Sequence, residues 1–174
     1  MNTLIVVEFQ NGKIKRSTLE LLSWAQAAGH SVSALALGTG APADELGNWG
    51  VKTLYVDNSA ENYNPEVASG SLASAIQQAQ AQLILGSASS LGRDLFPRVA
   101  ARVNGALLSD CIGLAMQGSE ITVKKPYLSG KTFANLSVVA GQTAFVLMRP
   151  NQLPVATANG GPTATVTNLN PGAA

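Results

Sequence analysis

The stretch from Leu83 to Asp110 constrains the fold of this chain more than any other. Apolar Leu83-Ile84-Leu85 leads into Gly86-Ser87-Ala88-Ser89-Ser90-Leu91-Gly92, then a segment from Arg93 to Asn104, then Ala106-Leu107-Leu108. The order reads as buried strand, small-residue loop, helix and second strand, the βαβ unit of a parallel sheet. Phe96, Val99, Ala100 and Val103 fall on one face of that helix. A loop so placed aims backbone N–H groups at the carboxyl edge of the sheet, where open α/β folds put their ligands.

The preceding residues repeat the alternation. Residues 3–9 form an apolar run typical of a strand buried on both faces. Ser17 or Thr18 suits the cap of a helix in which Leu21, Trp24, Ala25 and Ala28 align, and Gly29 stops it. Residues 31–37 and 52–57 read as strands. The short segment 42–49 between them reads as a helix, with Asp44 and Glu45 in its first turn. A longer helix follows over 65–80, with Ala68, Leu72, Ala75, Ile76 and Ala79 on one side. After Gly105 the helices stop. Residues 106–114, 120–125, 132–139 and 143–149 read as strands joined at Gly118, Gly130 and Gly141, expected to extend the sheet or to form an antiparallel flap beside it. This divides the chain into an α/β domain over 1–150 and a Pro/Gly-rich linker or tail over 151–174, which holds Pro154, Pro162, Pro171 and Gly160-Gly161.

Composition narrows the function classes. A chain of 174 residues with 46% hydrophobic residues suits one buried core. Net charge is +1 and no basic cluster occurs, which argues against nucleic-acid or anionic-membrane partners. Charged residues are 12%, against ~25% in ordinary soluble domains. Two explanations fit: a surface covered by a partner, or a bias toward small residues. Cys111 is the sole cysteine and His30 the sole histidine, so neither a disulfide, a metal site nor a His-dependent triad is expected. Cys111 is expected buried, and His30 on the surface. No secretory signal or membrane-spanning run is read, and a cytoplasmic location is expected.

The candidate cofactor-binding residues are Gly86, Ser87, Ser90, Gly92 and Arg93: hydroxyls to hydrogen-bond, glycines for close backbone approach, and one cation. Their spacing is neither Gly-x-Gly-x-x-Gly nor a Walker loop. A helix-capping loop with no ligand explains the same residues and is the default. Arg93, Asp94, Arg98 and Arg102 share a helix; Asp94–Arg98 is an i, i+4 pair on a face that is solvated or meets a partner. Glu8, at the end of the first strand, is expected to fix a loop, and Asp110 to accept hydrogen bonds from backbone groups. Trp24, Trp49 and Tyr127 are expected to pack. No nucleophile–base pair is found, so no catalytic residue is assigned.

Several stretches carry a family likeness when taken in order. They are Leu4 to Val7 followed by Glu8 and Gly12-Lys13-Ile14, then Gly92-Arg93-Asp94 with Phe96-Pro97-Arg98-Val99-Ala100. Ser109-Asp110, Pro126-Tyr127 with Gly130, and Arg149-Pro150 complete the series. Over roughly 3–150 the chain resembles the N-terminal domain of electron transfer flavoprotein alpha subunits, FixB-like proteins included. The resemblance implies a three-layer, mainly parallel sheet of the adenine-nucleotide alpha-hydrolase-like (Rossmann-like) type, with additional antiparallel strands near the C-terminus. It also implies a heterodimer with a beta subunit. That assembly carries electrons from flavin dehydrogenases, such as those acting on acyl-CoA, to a quinone oxidoreductase. In the family, FAD is held by Gly-Arg-Gly, Ser-Arg and Gln-x-Gly-x-Thr-Gly stretches of a C-terminal domain, none of which occurs here. FAD is therefore expected in the full heterodimer and not in this chain alone, which is expected to be a scaffold without its own catalytic site. The alternative is a standalone nucleotide-binding protein of universal-stress type, motivated by the Gly86 loop; against it, that group places a Gly-x-x-Gly and a Gly-Ser pair around the fourth helix, where this chain has only Gly92 and Gly105.

Overall fold

The computed structural model describes residues 1–169; the end of the expected tail, 170–174, lies outside the described residues. Strand β1 (Asn2–Val7) opens the chain, and the short strands β2 (Phe9–Gln10) and β3 (Lys13–Ile14) form a hairpin after it. Asn11 and Gly12 adopt φ of 51° and 71° there, the conformation an Asn-Gly turn favours. Then come α1 (Arg16–Ala27), β4 (Ser31–Leu37), α2 (Ala43–Asn48), β5 (Val51–Asp57), α3 (Pro65–Ala79), β6 (Leu83–Ser87) and α4 (Ser90–Arg102). The remainder is β7 (Ala106–Cys111), β8 (Gly113–Gln117), β9 (Glu120–Tyr127), β10 (Thr132–Ser137), β11 (Ala144–Met148) and β12 (Thr165–Asn168).

Seven strands make one sheet in the order β12-β5-β4-β1-β6-β11-β7, every neighbouring pair parallel. Side chains alternate across it, so its faces carry separate cores. Ile5, Val7, Ala34 and Ala36 meet Leu21, Leu22 and Ala25 of α1 and Leu46 of α2. Leu4, Val6 and Leu35 meet Leu72 and Ile76 of α3 and Leu95 and Phe96 of α4. This is the expected three-layer, mainly parallel α/β fold. Strands β8, β9 and β10 form the antiparallel flap, which packs Leu114, Ile121 and Val123 into the α1 side. The indole N–H of Trp24 donates to the carbonyl of Leu114 across that contact at 3.0 Å. Both expected fates of the late strands occur: β7 and β11 extend the sheet, and the others stand beside it.

Several local boundaries differ from expectation. Helix α4 starts at Ser90, not Arg93, because Ser89 caps it: its Oγ accepts the Gly92 N–H at 3.1 Å. Helix α1 starts at Arg16 without a side-chain cap, and Ala28, expected inward, is exposed just past its end. Thr18 instead binds the end of β1, its Oγ1 accepting the Glu8 backbone N–H at 3.0 Å.

The segment expected as a linker or tail docks on the domain over 151–169. The buried carboxylate of Glu20 accepts the backbone N–H groups of Asn151, Gln152 and Leu153 at 3.1, 3.3 and 3.4 Å. Ser23 Oγ accepts the N–H of Ala156. Farther on, Gly161 lies against the Gly47 carbonyl, and β12 adds to the free edge of β5. Backbone hydrogen bonds hold this strap, so its poverty in apolar residues does not prevent docking.

Replacing Glu20 with Ala is expected to leave three strap N–H groups without their acceptor. Urea unfolding should show a loss of about 1–3 kcal/mol, and amide exchange should rise at Asn151–Leu153 before it rises in β1.

Candidate functional site

The chain leaves β1 toward β4 and β5 on one side, then returns through α3 to β6 on the other. The carboxyl ends of β1 and β6 thus flank the switch point, where this class of sheet opens its ligand crevice. Here the crevice is bridged by the protein itself. Glu8 Oε1 accepts a hydrogen bond from Ser89 Oγ at 2.5 Å, and its Oε2 pairs with Lys15 Nζ at 3.2 Å. The Glu8 side chain is only 11% exposed. A carboxylate of the chain therefore sits by the positive end of α4, the kind of place where helix N-termini favour an anion. The loop-fixing role expected of Glu8 is what the geometry shows.

The five candidate residues separate in space. Gly86 and Ser87 end β6 and are buried, whereas Ser90 and Arg93 are exposed on α4. A Cβ on Gly86 would lie 2.8 Å from Phe96 Cε2, and one on Gly92 would strike the Ser87 carbonyl and lie 2.9 Å from Leu147 Cδ2. These glycines let a helix settle onto a strand; the close approach they permit is internal. Ser90 lines a cavity of about 500 Å³ with Leu37, Ala60, Tyr63, Leu91 and Asp94. Beside it, Glu8, Lys15, Gly38 and Thr39 line a smaller one of about 320 Å³. The Tyr63 hydroxyl donates to Asp94 Oδ2 at 2.6 Å, and Arg98 donates to Asp94 Oδ1 at 2.8 Å, so the expected i, i+4 pair forms. Burial first, then that hydrogen bond and charge, push the Tyr63 phenol up to about 12.

A second cluster escaped the residue-by-residue reading. Between Leu108 and Cys111, β7 carries one residue more than β11, a bulge that turns Asp110 to φ 63°. Its carboxylate accepts two hydrogen bonds from the Arg149 guanidinium, 2.5 Å from Nε and 2.7 Å from Nη2, with Arg93 Nη2 at 3.9 Å. The expectation of backbone donors for Asp110 is thereby corrected. Lys125 Nζ donates to Ser109 Oγ at 3.3 Å. Asp110, Arg149, Pro126, Tyr127, Leu128, Ser129 and Gly130 line a cavity of about 440 Å³. Tyr127, expected to pack, is 42% exposed at its rim. Trp49 is buried as expected, and Trp24 is half-buried.

The remaining candidates stay apart. Cys111 is buried, and burial pushes its thiol up to about 11. His30 lies between α1 and β4, off the carboxyl edge, and is not free on the surface. Its Nδ1 is 2.8 Å from Thr3 Oγ1, its ring meets Trp24 edge-on, and burial lowers its pKa. Among the described residues no group of three His, Cys, Asp or Glu is placed to hold a metal, and no helix is long and apolar enough to cross a membrane.

Residues that are distant in sequence thus converge. Asp110, Pro126-Tyr127, Gly130 and Arg149 line one cavity, with Arg93 3.9 Å from Asp110 and Ser109 bonded to Lys125 beside it. A family model for the electron transfer flavoprotein domain matches residues 3–174. The chain belongs to this family. It is 29% identical over 152 residues, 85% of the chain, to the electron transfer flavoprotein subunit alpha of Syntrophomonas wolfei, of which it covers 48%. It is 24% identical to the corresponding subunit of Bacillus subtilis, again covering 48% of that protein. It is 30% identical to the LctC subunit of the lactate dehydrogenase (NAD(+),ferredoxin) of Acetobacterium woodii, covering 37% of it and 83% of this chain. The chain spans about half the length of the alpha subunits it matches. This alpha-type domain is related to flavoproteins that carry electrons, and its Rossmann-like sheet agrees with that placement.

The Asp110 carboxyl is held below the ordinary aspartate range, chiefly by the hydrogen bonds from Arg149. A depressed folded pKa adds stability above the unfolded value of about 3.9 and loses it as pH falls through the folded one. Carbon-detected NMR titration should place the Asp110 midpoint below that of an unpaired aspartate. In Arg149→Met the midpoint should rise, and the acid limb of the stability curve should flatten below about pH 4.

Proposed function

We propose that this chain is the scaffold and docking domain of an electron transfer flavoprotein alpha subunit. It packs against a beta subunit, and the FAD belongs to the assembled heterodimer, not to this chain alone. Residues 1–150 form most of the platform, and the segment over 151–169 docks on α1 and α2 and adds β12 to its edge. The assembly passes electrons from flavin dehydrogenases, such as those acting on acyl-CoA, to a quinone oxidoreductase. No catalytic site of its own is needed for that role.

The observation that carries this reading is the convergence of the family-like residues around the Asp110–Arg149 pair. That pair ties β7 to the end of β11 at the carboxyl edge of the sheet, and it lines one cavity with the turn of the β9–β10 hairpin. Two further observations support it. The crevice at the switch point is bridged by Glu8 and Ser89, and charged residues make up only 12% of the chain, which suits a surface meant to be covered. Gly86, Ser87, Ser90, Gly92 and Arg93 act in this reading as packing, capping and edge residues of α4. The standalone nucleotide-binding alternative would need the place that Glu8 occupies.

Co-expression with the cognate beta subunit and size-exclusion chromatography test the proposal. A one-to-one complex that survives dilution to micromolar concentration is expected. Separate elution at all salt concentrations would contradict it.

A further inference from the structure

The flap ends in a hairpin that presents apolar side chains to solvent. Tyr127, Leu128 and Phe133 are 42%, 74% and 52% exposed. Leu128 and Ser129 adopt φ of 49° and 55° in the turn. Hairpin turns that need φ above zero ordinarily use Asn, Asp or Gly, so a leucine here costs local stability and gains the fold no core contact. Strain of that kind, at a residue directed outward, points to a role for the tip itself.

The surroundings define what the tip would meet. Lys124 Nζ stands 4.8 Å over the Phe133 ring, and Lys125 Nζ 5.7 Å over that of Tyr127. Lys131 follows the turn, and Arg149 and Arg93 stand at its base, where Asp110 is engaged by Arg149. From 112 to 142 the chain has Lys124, Lys125 and Lys131 against Glu120 alone. The patch is therefore apolar with a positive rim. A complementary surface is an apolar groove edged by carboxylates.

We infer that the Tyr127–Phe133 hairpin is the anchor by which this domain grips the beta subunit. Leu128 enters an apolar groove of that subunit, its lysine rim faces carboxylates, and the 440 Å³ cavity under the hairpin receives one of them beside Arg149. This rests on the docking role proposed above and adds the surface, the anchoring residue and the chemistry of the partner face. Anchors of this kind carry a large share of an interface's free energy.

Isothermal titration of the chain with the cognate beta subunit tests the inference, using Leu128→Asp and Lys124→Glu, with Val139→Asp as the control. Val139 is 75% exposed and lies outside the patch. The first two variants should bind about tenfold more weakly or worse, the control as wild type, and all three should melt within a degree or two of it. Wild-type binding should weaken steeply with salt. Unchanged affinity in Leu128→Asp, with wild type binding normally, overturns the anchor and leaves the docking role standing. No binding by wild type defeats both. Leu128-dependent self-association, or co-sedimentation with phosphatidylserine vesicles, also overturns the assignment in favour of a second copy or a membrane.

Discussion

The close approach of helix α4 to strands β6 and β11 sets the rest of this structure. Gly86 leaves room for the Phe96 ring, and Gly92 rests against the Ser87 carbonyl and Leu147. Phe96 then meets Phe145 edge-on with ring centroids 6.0 Å apart. Because the helix lies this low, Ser89 reaches both the Gly92 N–H and the Glu8 carboxylate, closing the crevice between β1 and β6. The same seating brings Arg93 toward Asp110. Interiors are packed densely enough that a methyl group at Gly86 or Gly92 would have to displace the helix.

Four carboxylates divide the internal polar work. Glu8 stands at the positive end of α4, Glu20 collects the N–H groups of the strap, Asp57 accepts from Ser59 and Ser71, and Asp110 ties β7 to the end of β11 through Arg149. Each is satisfied within the chain, and no buried side-chain nitrogen or oxygen among the described residues lacks a partner. The exposed apolar residues of the β9–β10 hairpin are the counterpart. Polar groups turn inward to hold the scaffold while apolar ones turn outward at one tip, an arrangement that suits a component of a larger assembly.

Much of the architecture was legible because period and punctuation agree. The helices over 65–80 and 93–104 show apolar residues at helical spacing, and the strands at 3–9, 31–37 and 83–85 are short apolar runs. The order of the late strands was not legible. Residues 143–149 form a strand by composition, but nothing local says that it slots between β6 and β7. Gly86 and Gly92 leave a ligand contact and a ligand-free capping loop both open in the sequence, because a missing Cβ serves ligand approach and helix packing alike, and only the neighbour tells them apart. Pairing of Asp110 with Arg149 spans 39 residues and depends on a bulge with no one-residue signature. The docked strap escaped notice for a different reason: Glu20 lies beside Leu19, Leu21 and Leu22, a buried acid that needed donors, and the donors were 131 to 133 residues away.

The central proposal is that this polypeptide is a platform whose crevice is bridged from within and that FAD is bound only by the assembled heterodimer. Equilibrium titration of the isolated chain with FAD, AMP and ATP, followed by flavin fluorescence and by calorimetry, tests it most directly. The account predicts featureless titrations up to high micromolar ligand and a colourless protein after gel filtration. Stoichiometric retention of FAD, or saturable micromolar binding of an adenine nucleotide, would contradict it.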